Sequence, residues 1–202
     1  MNDLTLDENH IYRYGGVIVP SVTQILQGVG LTDFSAVPVE RLDASGKFGV
    51  AAHLACELSD KETLDENSLH PALLPYLTGW EIYRQEYGLT FTAIEAQLYS
   101  PLYRFAGTID RIGKCRIDDS PLIIDIKSGA DNPAIAIQLA GYELLAREVF
   151  GLKGKIKRLA AFLNDKGTYS VKEYKDKNDV NVFLAALSVY NFRKKNNLLD
   201  RI

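Results

Sequence analysis

An apolar run near the middle of the chain ends in two charged residues of opposite sign. Asp125 and Lys127 close the segment that begins at Leu122, and they stand two residues apart. On a strand both side chains would project from one face about 6.6 Å apart, while Ile126 between them would face a core. The Ile126 carbonyl would then be a neutral oxygen ligand for a hard cation. This pattern indicates a carboxylate–ammonium site, with a salt bridge at a strand end as the alternative.

A second acid lies on the preceding predicted strand. Asp110 follows Gly107-Thr-Ile, and a polar segment joins it to the later strand, so the two strands most simply form an antiparallel hairpin. Cross-strand neighbours lie about 5 Å apart, which would bring Asp110 close to Asp125. Carboxylates at that distance repel each other unless a cation lies between them. The pair favours a metal site; pairing of Asp110 with the adjacent Arg111 is the alternative.

A histidine in a helix of small residues is a further candidate ligand. Gly49, His53 and Glu57 recur at every fourth position, so they share one face of a predicted helix. An imidazole beside carboxylates suits Mn²⁺ better than Ca²⁺. A core histidine that is satisfied by its neighbours is the alternative.

Three more polar residues stand out against apolar surroundings. Glu95 interrupts a strand pattern, and Gln138 and Tyr142 are four residues apart on an otherwise apolar helix. Glu95 would be a base, a ligand or an ordinary solvent-facing acid. Simple amphipathicity would equally explain Gln138 and Tyr142.

Hydrophobic periodicity places these residues on defined elements. In chain order we predict a hairpin over 12–19, a short helix capped by Ser21, helices over 39–58 and 71–87, strands over 91–99, 105–112 and 122–127, a helix over 132–150, strands over 155–164 and 169–174, and a helix over 179–195. The order β-β-β-α-β-β predicts an α/β (α+β) fold. We expect one domain over 1–202, in which a mainly helical part over 1–88 precedes a sheet core over 89–202.

Six segments occur in the order found in one enzyme superfamily. They are Ser21-Val-Thr-Gln-Ile-Leu26, Gly49-x-x-x-His53, Glu95, Gly107-Thr-Ile-Asp110-Arg, Asp125-Ile-Lys127-Ser-Gly129 and Gln138-x-x-x-Tyr142. In this set the chain resembles the PD-(D/E)XK nuclease superfamily, and most of all its RecB-like branch, which includes mitochondrial genome maintenance and phage recombination exonucleases. The resemblance implies a restriction-endonuclease-like core, with a central mixed sheet flanked by helices.

The resemblance also implies roles for individual residues. The metal site, for one or two Mg²⁺ or Mn²⁺ ions, would comprise His53, Asp110, Asp125 and the Ile126 carbonyl. Catalytic roles fall to Lys127, Asp110, Asp125 and Glu95. The DNA-binding set comprises Gln138, Tyr142, Arg111 and Ser128.

Two kinds of cofactor are not expected. Cys56 and Cys115 are the only cysteines, too few for the four-cysteine iron–sulfur cluster of some superfamily members or for a structural zinc. The sequence has no Gly-x-x-x-x-Gly-Lys-Ser/Thr loop, so no ATP motor is predicted.

The net charge of −3 hides an asymmetry along the chain. Residues 1–150 contain 11 basic and 21 acidic residues, whereas the remainder contains 12 basic and 5 acidic residues. The basic part begins with Lys153, Lys155, Lys157 and Arg158. These side chains are predicted to bind the DNA backbone without reading its sequence, with a solvated basic surface as the alternative.

The leading functional hypothesis is a metal-dependent exonuclease that acts on single-stranded DNA or duplex ends in recombination, repair or phage DNA processing. Two alternatives stay open: an endonuclease of the same superfamily, and a DNA-binding or scaffold module with an idle metal site. A single-strand annealing or binding protein is a further candidate partner. No run reaches about 18 apolar residues and the N-terminus is polar and acidic, so we expect no membrane span, no secretory signal and a cytoplasmic location. No coiled coil indicates an oligomer.

Overall fold

The computed structural model describes the backbone of residues 3–32 and 39–199, and the side chains of 3–32 and 46–199. The helices are α1 (Val22–Gly28), α2 (Val39–Asp60), α3 (Leu74–Tyr87), α4 (Ala134–Phe150) and α5 (Asn178–Lys195). The strands are β1 (Leu4–Leu6), β2 (Tyr12–Tyr14), β3 (Val17–Val19), β4 (Thr90–Ser100), β5 (Phe105–Cys115), β6 (Asp118–Lys127), β7 (Lys157–Leu163) and β8 (Tyr169–Tyr174).

Five of these strands form one mixed sheet in the order β4-β5-β6-β7-β8. The neighbours are antiparallel except β6 and β7, which run parallel. A parallel pair needs a long crossover rather than a tight turn, and α4 supplies it. This helix begins after Pro133 and ends at Phe150, before Gly151, whose φ of 63° suits a residue without a Cβ.

Helices cover both faces of the five-stranded sheet. On one face α1, α4 and α5 build a core that contains Phe105 and Phe183. On the other face α2 and α3 contribute a core that contains Trp80. Successive β6 residues Ile123 and Ile124 belong to different cores, because strand side chains alternate between faces. The sheet is therefore buried on both sides, and polar groups on it stand out.

The expected fold class and element order are confirmed. Strands β5 and β6 continue through the polar segment that was predicted as a connection, up to Cys115 and from Asp118. The prediction of a mainly helical region over 1–88 is incomplete, because β1 pairs with the predicted hairpin to give a three-stranded sheet. Three residues are too few to show a period, so β1 carried no sequence signal. Over the described ranges, the helices are too short or too polar to cross a membrane.

Candidate active site

Neighbouring strands of the large sheet bring the predicted acids together. In the β4–β5 register the residues on either side of Glu95 lie opposite those on either side of Asp110, so the two acids face each other. In the β5–β6 register Arg111 lies opposite Ile124, so Asp110 also approaches Asp125. Three carboxylates therefore meet at one place on the sheet.

Helix α2 adds an imidazole to two of these carboxylates. One ligand atom each from His53, Glu95 and Asp110 lies within 4.8 Å of the other two. His53 Nδ1 is 3.3 Å from Asp110 Oδ2, and that oxygen also accepts a hydrogen bond of 2.7 Å from the Ile126 amide. Imidazole nitrogen and carboxylate oxygen are common ligands of divalent cations. The three side chains therefore fit such an ion, whose charge would offset the repulsion between the acids.

This cluster shares His53 and Asp110 with the expected metal site and differs in its other members. Glu95 belongs to it, whereas the Asp125 carboxylate contacts Lys127 instead, with Oδ2 2.7 Å from Nζ. The contact from Ile126 is made by its amide. Metal binding by Asp125 and by the Ile126 carbonyl therefore stays a prediction.

Helix α4 holds Lys127 through a side-chain hydrogen bond. Lys127 Nζ donates to Gln138 Oε1 at 3.2 Å. The Gln138 amide donates in turn to Asp125 Oδ1 at 3.4 Å and to the Tyr142 hydroxyl at 2.9 Å. The spacing of four residues on α4 thus places both polar tips against the strand-end pair. The residues predicted from the helix motif hold the lysine in place in this structure, and their contact with DNA stays a prediction.

Burial and neighbouring charges shift the protonation of these groups. Burial raises the pKa of Glu95 to about 7, helped by Asp110 and opposed by Arg111 and His53. Burial likewise raises the pKa of Asp125, opposed by Lys127. Burial alone would lower the pKa of Lys127, but the carboxylates of Asp125 and Asp110 outweigh it and raise that pKa. Lys127 is therefore a cation at neutral pH, and it suits charge stabilisation rather than proton abstraction.

The backbone of Glu95 is strained. Its φ is 49° within β4, in the left-handed region that residues with a side chain rarely adopt. Such conformations persist where surrounding contacts hold them, and they concentrate at functional sites.

A cleft of about 610 Å³ opens beside the cluster. It is lined by His53, Glu95 and Tyr142, and by apolar side chains that include Leu6 and Leu54. A substrate in this cleft would lie against the candidate metal ligands. Ser128, in the segment after β6, lies near the α2 face that carries His53: a Cβ placed on Gly49 would stand 3.4 Å from its hydroxyl, and contact of Ser128 with DNA stays a prediction.

Two arginines that were predicted to bind DNA are buried. Arg111 is 0% exposed and Arg158 is 3% exposed. Arg158 forms ion pairs with Glu143 and Asp179, and Arg111 also pairs internally. Both guanidinium groups are enclosed and ion-paired in this structure, which does not favour the predicted contact of Arg111 and Arg158 with DNA. Charge along the sequence does not show which basic side chains the fold encloses.

The predicted basic lysines lie away from the acids. Lys157 enters β7 opposite Leu122, five residues before the level of Lys127, which is about 16 Å along the strand. Lys155 and Lys157 form ion pairs with acids of the sheet, and Lys153 is exposed at the same end. These lysines therefore lie away from the candidate metal ligands, and their contact with the DNA backbone stays a prediction.

One part of the site was not found from sequence. The Asp60 side chain at the end of α2 is fully buried and accepts hydrogen bonds from Trp80, Arg84 and Arg111. An acid at the end of a helix is common on protein surfaces, so its residue type and position gave no signal. The Trp80 indole, which needs a partner when buried, was the available hint.

The fold and the site together define a nuclease. The chain belongs to the PD-(D/E)XK nuclease superfamily, whose family model matches residues 50–188. Nucleases of this superfamily use divalent metal ions, in agreement with the donor set described above. No curated protein matches the chain.

The chain is similar to several solved structures. A proposed exonuclease from Eubacterium rectale aligns with a TM-score of 0.52 and 13% identity, over 89% of this chain and 82% of that one. The alkaline exonuclease LHK-Exo from Laribacter hongkongensis aligns with a TM-score of 0.38 and 15% identity, over 88% of this chain and 92% of that one. LHK-Exo in complex with dAMP gives a TM-score of 0.46 and 13% identity, over 89% of each chain.

Proposed function

We propose that this protein is a Mg²⁺- or Mn²⁺-dependent DNA exonuclease. The observation that carries the proposal is the convergence of His53, Glu95 and Asp110 within 4.8 Å beside a lysine held by Asp125. Membership of the nuclease superfamily sets the chemistry as hydrolysis of a phosphodiester bond. The oxygen-rich donor set with one imidazole favours Mg²⁺ or Mn²⁺ over softer metals.

The residues divide the work of phosphodiester hydrolysis. His53, Glu95 and Asp110 would hold the ion, which when bound polarises the phosphate and lowers the pKa of a water molecule. Lys127 places a permanent positive charge next to the acids, where it would neutralise charge that develops at phosphorus. Asp125 and Gln138 fix the direction of the ammonium group, so it needs no rearrangement during the reaction.

The shape of the cleft supports action at a strand end. Its volume of about 610 Å³ is in the range of sites that enclose small ligands, so it has room for a terminal nucleotide. The six-segment resemblance to RecB-like exonucleases agrees with this. We infer that DNA ends are the substrate, in recombination, repair or phage DNA processing, with a single-strand annealing or binding protein as a candidate partner in the cytoplasm.

Digestion of matched DNA substrates tests the proposal. The substrates are single-stranded and duplex DNA labelled at the 5′ or the 3′ end, and covalently closed circular DNA, each with Mg²⁺ or Mn²⁺. We expect linear DNA to be degraded from an end while circles resist. Lys127→Ala should lower the rate at least about 100-fold, and Lys114→Ala, which changes an exposed lysine at the far hairpin end, should match the wild type.

Other outcomes would select the alternatives. Nicking of closed circles at the rate of linear DNA would identify an endonuclease of the same superfamily. Metal-dependent DNA binding without any cleavage would identify a binding or scaffold module.

A further inference from the structure

Arg111 occupies an unusual position directly behind the metal cluster. It follows Asp110 in β5, its side chain is 0% exposed, and its guanidinium forms ion pairs with two carboxylates. Its Nη2 is buried without a hydrogen-bond partner among the described residues. A buried ion pair is weak support for stability, because desolvation offsets the attraction. The arrangement therefore calls for another explanation.

The guanidinium contacts both strands that carry metal ligands. Nη1 donates to Glu95 Oε1 at 3.0 Å and to the backbone carbonyl of Asp110 at 2.7 Å. One donor group thus fixes the Glu95 side chain relative to the backbone of Asp110. The same contact holds the Glu95 side chain at the point where the β4 backbone is strained.

The guanidinium is in turn held by contacts with an acid and two aromatic rings. Its Nε donates to Asp60 Oδ2 at 2.6 Å, and it lies 5.4 Å from the Trp80 ring centroid and 5.8 Å from the Phe91 ring centroid. Asp60 stands at the end of α2, the helix that supplies His53. Arg111 therefore connects all three elements of the cluster: α2 through Asp60, β4 through Glu95, and β5 through its own backbone.

We propose that Arg111 is a positioning residue that sets the Glu95 carboxylate, and through Asp60 the helix of His53, in the arrangement that binds the divalent ion. This inference rests on the proposed function, because it assigns Glu95 and His53 to the ion. The planar guanidinium suits this role, since it directs separate N–H groups to Asp60 and Glu95 at once. A lysine is a single point charge and would serve only one of them.

Direct Mn²⁺ binding to the DNA-free protein tests the inference. Free Mn²⁺ measured by electron paramagnetic resonance gives the dissociation constant without any contribution from activity. We expect Arg111→Lys to keep its circular dichroism spectrum and to bind Mn²⁺ at least about 10-fold more weakly. In a Glu95→Gln background the same substitution should have a much smaller effect, because the carboxylate that Arg111 positions is already gone.

Arg84→Met is the matched control. Arg84 donates to Asp60 Oδ1 at 2.8 Å, so this variant removes a neighbouring contact but leaves the contacts of Arg111 with Asp60 Oδ2 and Glu95 in place, and it should bind Mn²⁺ like the wild type. If Arg111→Lys does not fold, the double variant Arg111→Met/Asp60→Asn removes both charges together and leaves neither buried alone. It should show the same loss of Mn²⁺ affinity.

The results separate this inference from the proposed function. Unchanged Mn²⁺ affinity in a folded Arg111 variant, or an equal loss in the Glu95→Gln background, would overturn the positioning role. If the wild type and Asp110→Asn bind Mn²⁺ equally, the metal cluster itself, and with it the proposed function, would be wrong.

Discussion

At the scale of single residues, Glu95 shows how the fold prepares a site for a cation. The carboxyl is largely buried, faces Asp110 and has its pKa raised to about 7. Because the folded state favours the protonated form, the unfolded chain gives up its proton at a lower pH. The stability that Glu95 contributes is therefore present at low pH and is lost as the pH rises from its ordinary pKa of 4.5 through about 7.

Glu95→Gln should remove this loss of stability at high pH, since the amide has a similar shape, stays neutral and still accepts a hydrogen bond from Arg111. Without metal, we expect the variant to be more stable than the wild type at pH 8 by about 1–3 kcal/mol, and to differ little at pH 5. Urea unfolding in EDTA at the two pH values measures the difference. Asp119→Asn changes a fully exposed acid and is the control. An equal difference between Glu95→Gln and wild type at both pH values would contradict the prediction.

At the scale of elements, the site depends on the close pairing of β4 with β5. The register shifts between Phe91 and Ala93, opposite Gly113. A Cβ at Gly113 would lie 2.0 Å from the Thr90 carbonyl oxygen and 3.0 Å from the Phe91 Cα. Backbone atoms cannot move aside as a flexible side chain can, so only glycine fits here.

Gly113→Ala should therefore destabilise the protein by about 2 kcal/mol or more, because the strands must separate locally to admit the methyl group. Urea denaturation midpoints measure the loss. Gly129→Ala, at a position where a Cβ would meet nothing within 4 Å, should stay close to the wild type. A Gly113→Ala variant as stable as Gly129→Ala would show that the strand pair is looser than the structure indicates.

Elements with a clear period were predictable from the sequence. The strands of Asp110 and Asp125 and the helix of Gln138 have long apolar patterns, so the β-β-β-α-β-β order and the meeting of the two acids followed from alternation and hairpin geometry. The strained backbone at Glu95 could not be predicted from the sequence, because the φ of one residue does not affect hydrophobic periodicity. The Asp60–Arg111 contact could not be predicted either, since it joins residues 51 positions apart.

At the scale of the whole molecule, basic residues are distributed differently in space than along the chain. Lys153, Lys155 and Lys157 follow the motif helix in sequence, but the parallel β6–β7 register places them at the end of the sheet away from Lys127. Proximity to the motif in sequence therefore does not bring these lysines close to the acids, and the fold leaves only 3% of Arg158 exposed.

Replacing Lys153, Lys155 and Lys157 together with glutamine should leave the salt dependence of binding to a short DNA end unchanged. Each phosphate contact that is lost would reduce the slope of log K against log salt by about 0.9 for duplex DNA. Fluorescence anisotropy over a salt series, in Ca²⁺ or with the Lys127→Ala background to prevent cleavage, measures that slope. A decrease of two or more would show that these lysines bind the backbone after all.

We propose that His53, Glu95 and Asp110 bind the ion, while Lys127 acts on the reaction that follows. Mn²⁺ titration of the wild type, Asp110→Asn and Lys127→Met, with single-turnover cleavage of end-labelled DNA on the same samples, tests it directly. We expect Asp110→Asn to lose at least about 10-fold in Mn²⁺ affinity and to stop cleaving. Lys127→Met should bind Mn²⁺ at least as tightly as the wild type and cleave at least about 100-fold more slowly. Wild-type Mn²⁺ binding and cleavage by Asp110→Asn would show that Asp110 is not a ligand of the catalytic ion.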